Sequence, residues 1–95
     1  MLRVVLVCDG VAEAEGLEAA SDIAREFNEQ RGPRYQHAAC LFEAGTLWLS
    51  CENDGWDADG LNLMDEFSDC ICAYLKSSPE GGMRFVSATK NEDAS

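Results

Sequence analysis

The chain is short of positive charge, of histidine and of proline. Seven Lys and Arg stand against eighteen Asp and Glu, a net charge of −11 at pH 7. From Tyr35 to Leu75 there is no Lys or Arg at all. That scarcity argues against direct contact with nucleic acid or an anionic membrane, because both need a positive footprint. The single histidine, His37, and the absence of paired Cys-x-x-Cys units remove the usual donor sets of a zinc site. No segment approaches the ~20 apolar residues that cross a bilayer. The apolar run Leu2–Cys8 meets Asp9 too soon for a signal-peptide core and has no small-residue cleavage site. G-x-S-x-G, a P-loop and G-x-G-x-x-G are all missing. We therefore expect no enzyme, no cofactor and no metal. Five cysteines, an odd number, fit free thiols in a reducing, cytoplasmic setting.

What is present is enough for one domain. Ninety-five residues with 46% apolar content can bury a modest core. The stretch 35–53 reads as a β-hairpin turning at Ala44-Gly45, where glycine supplies a positive φ. Before it, Leu2–Cys8 is a continuous, β-branched run of the kind found in a central strand, and Asp9-Gly10 ends it. Residues 13–30 follow as a helix with Leu17, Ala20, Ile23, Ala24 and Phe27 on one face, and Gly16 weakens its first turn. Arg31-Gly-Pro-Arg34 stops that helix.

After the hairpin comes a loop rich in Asn, Asp and Gly, with Asp57 or Asp59 as a natural N-cap. A second helix over 60–76 carries Leu63, Met64, Phe67, Cys70, Ile71, Tyr74 and Leu75 as its apolar stripe. Residues 83–88 read as the last strand. A single α+β domain over 1–88 and a loose tail over 89–95 result. The order βαββαβ predicts a ferredoxin-like plait: a four-stranded antiparallel sheet in the order 4-1-3-2 with both helices on one face.

The hairpin register assigns faces. A two-residue loop places Ala38, Cys40 and Phe42 with Leu47, Leu49 and Cys51 toward the helices. It leaves Tyr35, Leu41 and Trp48 on the open side, joined by Val5, Val7 and Val86. An apolar patch there marks a partner surface, and Trp and Tyr are frequent anchors. Cys40, Cys51 and Cys70 fall on core faces, where a thiol acts as a small apolar group. Cys70-Ile-Cys72 points its thiols apart on a helix, and Cys8 has no cation nearby to activate it. The segment Gly55–Glu66 sets Asp57, Asp59, Gly60 and Glu66 at EF-hand positions three, five, six and twelve. Gly55 and Asn62 break that pattern, and the preceding element is a strand. Turn and cap chemistry account for the same residues.

Two functional expectations follow, both of an interaction protein. In the first, the outer helix faces form an acidic layer that docks on a basic protein or ribonucleoprotein complex. The chain would then act by occlusion, as an inhibitor, immunity, antitoxin or phage-encoded anti-defence protein does. Its contacts would be Glu15, Glu18, Asp22, Glu26, Asp57, Asp59, Asp65, Glu66 and Asp69, with Trp56 as an apolar anchor. In the alternative, the chain is a regulatory or ligand-sensing homodimer joined through Tyr35, Leu41 and Trp48 on the open sheet.

Overall fold

The computed structural model describes residues 1–30 and 35–90. Its elements run β1 (Leu2–Asp9), α1 (Glu13–Glu29), β2 (Gln36–Glu43), β3 (Thr46–Asn53), α2 (Leu61–Tyr74) and β4 (Gly82–Lys90). The strands form one sheet in the order β2-β3-β1-β4, every pair antiparallel. This is the ferredoxin-like plait expected from the element order. Residues 31–34, which the sequence reads as the helix stop, lie outside the described residues, as do residues 91–95 of the expected tail. Thr89 and Lys90 belong to β4 rather than to that tail, because Arg3 and Leu2 of β1 pair with them.

One side of the sheet carries the core. Val4, Leu6 and Cys8 of β1 and Leu47, Leu49 and Cys51 of β3 are buried against Ala19, Ala20, Ile23 and Phe27 of α1. Leu63, Phe67, Cys70 and Ile71 of α2 complete it. Fully removing such side chains from water stabilises the fold by roughly 1.5–3 kcal/mol each. The hairpin register is the one read from the sequence, with Glu43 opposite Thr46 and Leu41 opposite Trp48. Both turn residues have positive φ, 51° at Ala44 and 79° at Gly45. That pair of angles is the mirror-image turn that matches strand twist. The tip is tied down by a hydrogen bond from Val11 N to Gly45 O at 2.9 Å.

Three expectations are corrected. Tyr35 is not on the open side: it is only 2% exposed and belongs to the core. The cause is a bulge in β2. Gln36 pairs with Glu52 and Ala39 with Ser50, so two residues, His37 and Ala38, oppose the single Cys51. His37 takes a φ of 54°. An extra residue inverts the alternation beyond it, and Tyr35 turns inward. Asn28 of α1 replaces the missing strand partner. Its side-chain amide donates to Ala38 O at 3.1 Å, and its carbonyl oxygen accepts from Ala38 N at 3.2 Å.

The second correction concerns α1. Leu17 is exposed, and Gly16 holds the inward position in its place. A Cβ at Gly16 would overlap the Phe42 ring, so the glycine is what lets β2 and α1 close together. The third concerns the open side of the sheet. Val86 is exposed, as the extra residue of a bulge in β4 between Phe85, opposite Leu6, and Ser87, opposite Val5, and the residue that departs from the expected patch is Val7. Val7 is completely buried even though its neighbours in the sheet are Trp48 and Arg84.

Candidate interaction surfaces

The acids nominated from the sequence divide into those with internal work and those facing solvent. Glu15 sits at the start of α1 and accepts a hydrogen bond from the backbone N–H of Lys76. That bond, with help from Ser77, holds its carboxyl below the usual range. Asp22 is paired with Arg25 one turn away, the only cation on either helix. Glu26 accepts from the Tyr74 hydroxyl at 2.6 Å, which joins the helices and pushes the phenol pKa up. Glu18, Asp65 and Asp69 are exposed, and Glu66 is half-buried. The structure thus does build an acidic outer layer, but a smaller one than the sequence count.

Asp57 is a correction. It is 4% exposed and cannot be a surface contact. Its carboxylate accepts from Asn62 N at 3.0 Å, Leu63 N at 2.9 Å and the Tyr35 hydroxyl at 3.3 Å. The N-cap position of α2 is Gly60, not Asp57 or Asp59 as expected, but two of the first N–H groups of the helix, which no residue within it can satisfy, end on the Asp57 side chain from three residues further back. Asn62 in turn donates to the Tyr35 oxygen at 2.6 Å. Asn53 closes the loop by accepting from Gly55 N at 2.7 Å and Asp57 N at 3.4 Å. Asp59 accepts from Leu61 N. Asp57 and Asp59 of the EF-hand-like set are therefore occupied with the backbone, and among the described residues no group of three His, Cys, Asp or Glu is placed to hold a metal. Trp56 lies half out of this loop, its ring 5.5 Å from that of Tyr35.

The open side of the sheet is a different surface. Leu41 is 67% and Trp48 39% exposed, and they face each other across the β2–β3 pair. With Val5, Ala39, Arg3 and Ser50 they line a broad concave face of about 680 Å³. Its arginines are matched locally, while Glu43 adds an exposed acid at the hairpin end. At one end Arg3 donates to Ser50 and pairs with Glu52 at 3.3 Å. At the other, Arg84 pairs with Asp9 at 2.9 Å, while Thr46 donates to the same carboxylate. The Arg84 and Thr46 hydrogen bonds hold the Asp9 carboxyl below its usual range. The sequence alone does not show Asp9 as a partner of Arg84, because only the β1–β4 register brings residues 9 and 84 together.

The buried thiols of Cys8, Cys40 and Cys51 are quiet. Cys8, Cys40, Cys51 and Cys70 are buried, and Cys72 is exposed. Burial pushes Cys40 and Cys51 each up to about 12, and it raises Cys8 with help from the Asp9 charge. Protonated thiols are poor nucleophiles and poor ligands.

No helix is long and apolar enough among the described residues to cross a membrane. No family model matches the chain. Among curated proteins it is similar to a 3-methyl-2-oxobutanoate hydroxymethyltransferase of Albidiferax ferrireducens, with 30% identity over 73 residues. The match takes in 72% of this chain but spans only about a quarter of that relative's length.

Proposed function

We propose that the chain is a protein-binding module, not an enzyme, whose helix layer docks on a basic, nucleic-acid-handling partner and occludes it. The observation that carries this is the charge left over after internal pairing. Glu18, Asp65 and Asp69 stay exposed on two adjoining helices whose single cation, Arg25, is already engaged by Asp22. Such a field speeds encounter with a cationic surface and repels polyanions. The binding reading is also supported by the chemistry of the groups that could react. The buried thiols of Cys8, Cys40 and Cys51 are held protonated, and Asp9 is held as a carboxylate by Arg84. The hydroxymethyl transfer in the name of the Albidiferax protein is not carried over, because the chain covers about a quarter of it.

The test is a comparison of two affinity columns, one with the parent chain and one with Glu18→Lys, Asp65→Lys and Asp69→Lys combined. A lysate of the source cell is loaded at low salt and eluted by a salt gradient. A defined basic protein retained by the parent, released as salt rises and lost from the reversed variant supports the reading. Equal retention on both columns overturns it, and so would hydroxymethyltransferase activity in the purified chain.

A further inference from the structure

We infer that the open sheet face is where a second copy of this chain docks, back to back, leaving both helix layers outward. The molecule's negative charge is unevenly spread, and it is sparsest on this face. The molecule carries −11, so two copies repel across most approaches. On the open face the balance is different: Arg3 is answered by Glu52 and Arg84 by Asp9, and Glu43 adds one exposed acid at the hairpin end; Val5 and Trp48 lie between the two pairs, with Leu41 beside Trp48 on the edge strand. A basic partner has little to gain there. A surface that is apolar and far closer to charge balance than the rest of the molecule is matched by another of the same kind, which a second copy supplies by construction.

The layout of the pairs is also self-complementary. Arg3–Glu52 sits near the start of β1 and Asp9–Arg84 at its end. A two-fold axis lying between the sheets and across the strands sets each pair over the opposite pair of the other copy. Trp48 on the inner strand β3 then lies near its counterpart, with Leu41 flanking it on the edge strand, in aligned sheet-on-sheet packing. Four strands ~4.8 Å apart and eight residues at ~3.3 Å give a face of roughly 500 Å² per copy. The total of roughly 1,000 Å² is at the lower edge of specific interfaces, which makes the dimer weak and reversible.

Salt separates this inference from the acidic docking surface. Screening relieves repulsion between two −11 chains, so the dimer tightens as salt rises, whereas binding of a basic partner to the helices loosens. The experiment is sedimentation velocity of the full chain over a concentration series at low and high salt. The parent is expected to move from monomer to dimer with concentration, at lower concentration in high salt. Trp48→Glu is expected to weaken the dimer at least ~30-fold, the size of an interface anchor. Leu41→Lys, at a site already 67% exposed and so harmless to folding, is expected to do the same. Far-UV circular dichroism confirms that both variants are folded. A parent that stays monomeric throughout, or a dimer untouched by Leu41→Lys, overturns the inference. Either result leaves the Glu18/Asp65/Asp69 surface untouched as a separate question.

Discussion

Replacing Asp57 by Ala is the sharpest test of how this sequence holds its fold. The carboxylate ends two α2 backbone N–H groups and the Tyr35 hydroxyl. Losing the cap costs about 1 kcal/mol. The Leu63 N–H then faces a buried site with no acceptor and adds roughly 1–3 kcal/mol of desolvation. The sum is ~3 kcal/mol, a large part of the stability of a domain this size. Asp57→Asn keeps one acceptor oxygen but turns an amide N–H toward the second donor, so it should cost ~1–2 kcal/mol. Urea unfolding followed by tryptophan emission reads this directly, because Trp56 packs on Tyr35 beside the site. At a slope of about 1–1.5 kcal/mol per molar, the Ala variant should shift the midpoint by ~2–3 M. Adding Tyr35→Phe to Asp57→Ala should cost less than the two separate changes, since both act on one hydrogen-bond network. If both Asp57 variants stay within ~0.5 kcal/mol of the parent, the buried cap is not what organises the loop.

Four further outcomes follow from the same reasoning. Ala44→Asn should raise stability by up to ~1 kcal/mol in thermal unfolding, because Ala44 has a φ of 51° that Asn tolerates and Ala resists. Gly16→Ala should destabilise by ~1–2 kcal/mol despite its gain in helix propensity, because the new methyl collides with the Phe42 ring; Phe42→Leu in the same chain should recover part of the loss. Asn28→Ala should cost ~2 kcal/mol in urea unfolding, because Ala38 N and O lose their side-chain partner at the bulge. Cys40 and Cys51 have folded pKa values raised from 9.0 to about 12, so the unfolded chain loses protons first as pH rises. Their stabilisation is complete below pH 9 and falls between 9 and 12, by at most ~1.4 kcal/mol per pH unit for each thiol; in Cys40→Ala the alkaline slope should be shallower, and an unchanged slope would show that these thiols are not its source.

Local patterns made most of this architecture legible. A β-branched run, two stripes of helical spacing and a hairpin with glycine in its turn each depend on neighbours within a few residues, and their order leaves few ways to wind the chain. What escaped reading depends on partners far apart in sequence. The helical period placed Leu17 inward by hydrophobicity alone, but the facing Phe42 ring needs the absence of a side chain at Gly16. Asp57 was readable as a cap and also as a surface acid. Only the Tyr35 hydroxyl, 22 residues earlier, decides for the cap.

The β2 bulge shows how one such partner rearranges a whole surface. Asn28 on α1 can satisfy both backbone groups of Ala38, so β2 loses little by leaving its ladder there. Once it does, Tyr35 changes sides and packs edge-on against Phe27. Its hydroxyl then reaches the α2 cap, and Trp56 is drawn over it at the loop surface. The open face keeps Trp48 between two matched ion pairs, with Leu41 beside it. The same irregularity therefore supplies the Tyr35 hydroxyl to the loop that starts the acidic helix and removes an aromatic ring from the sheet face. This separation, exposed acids on the helix side and paired arginines around an apolar patch on the other, gives the two faces of one small chain different electrostatic character.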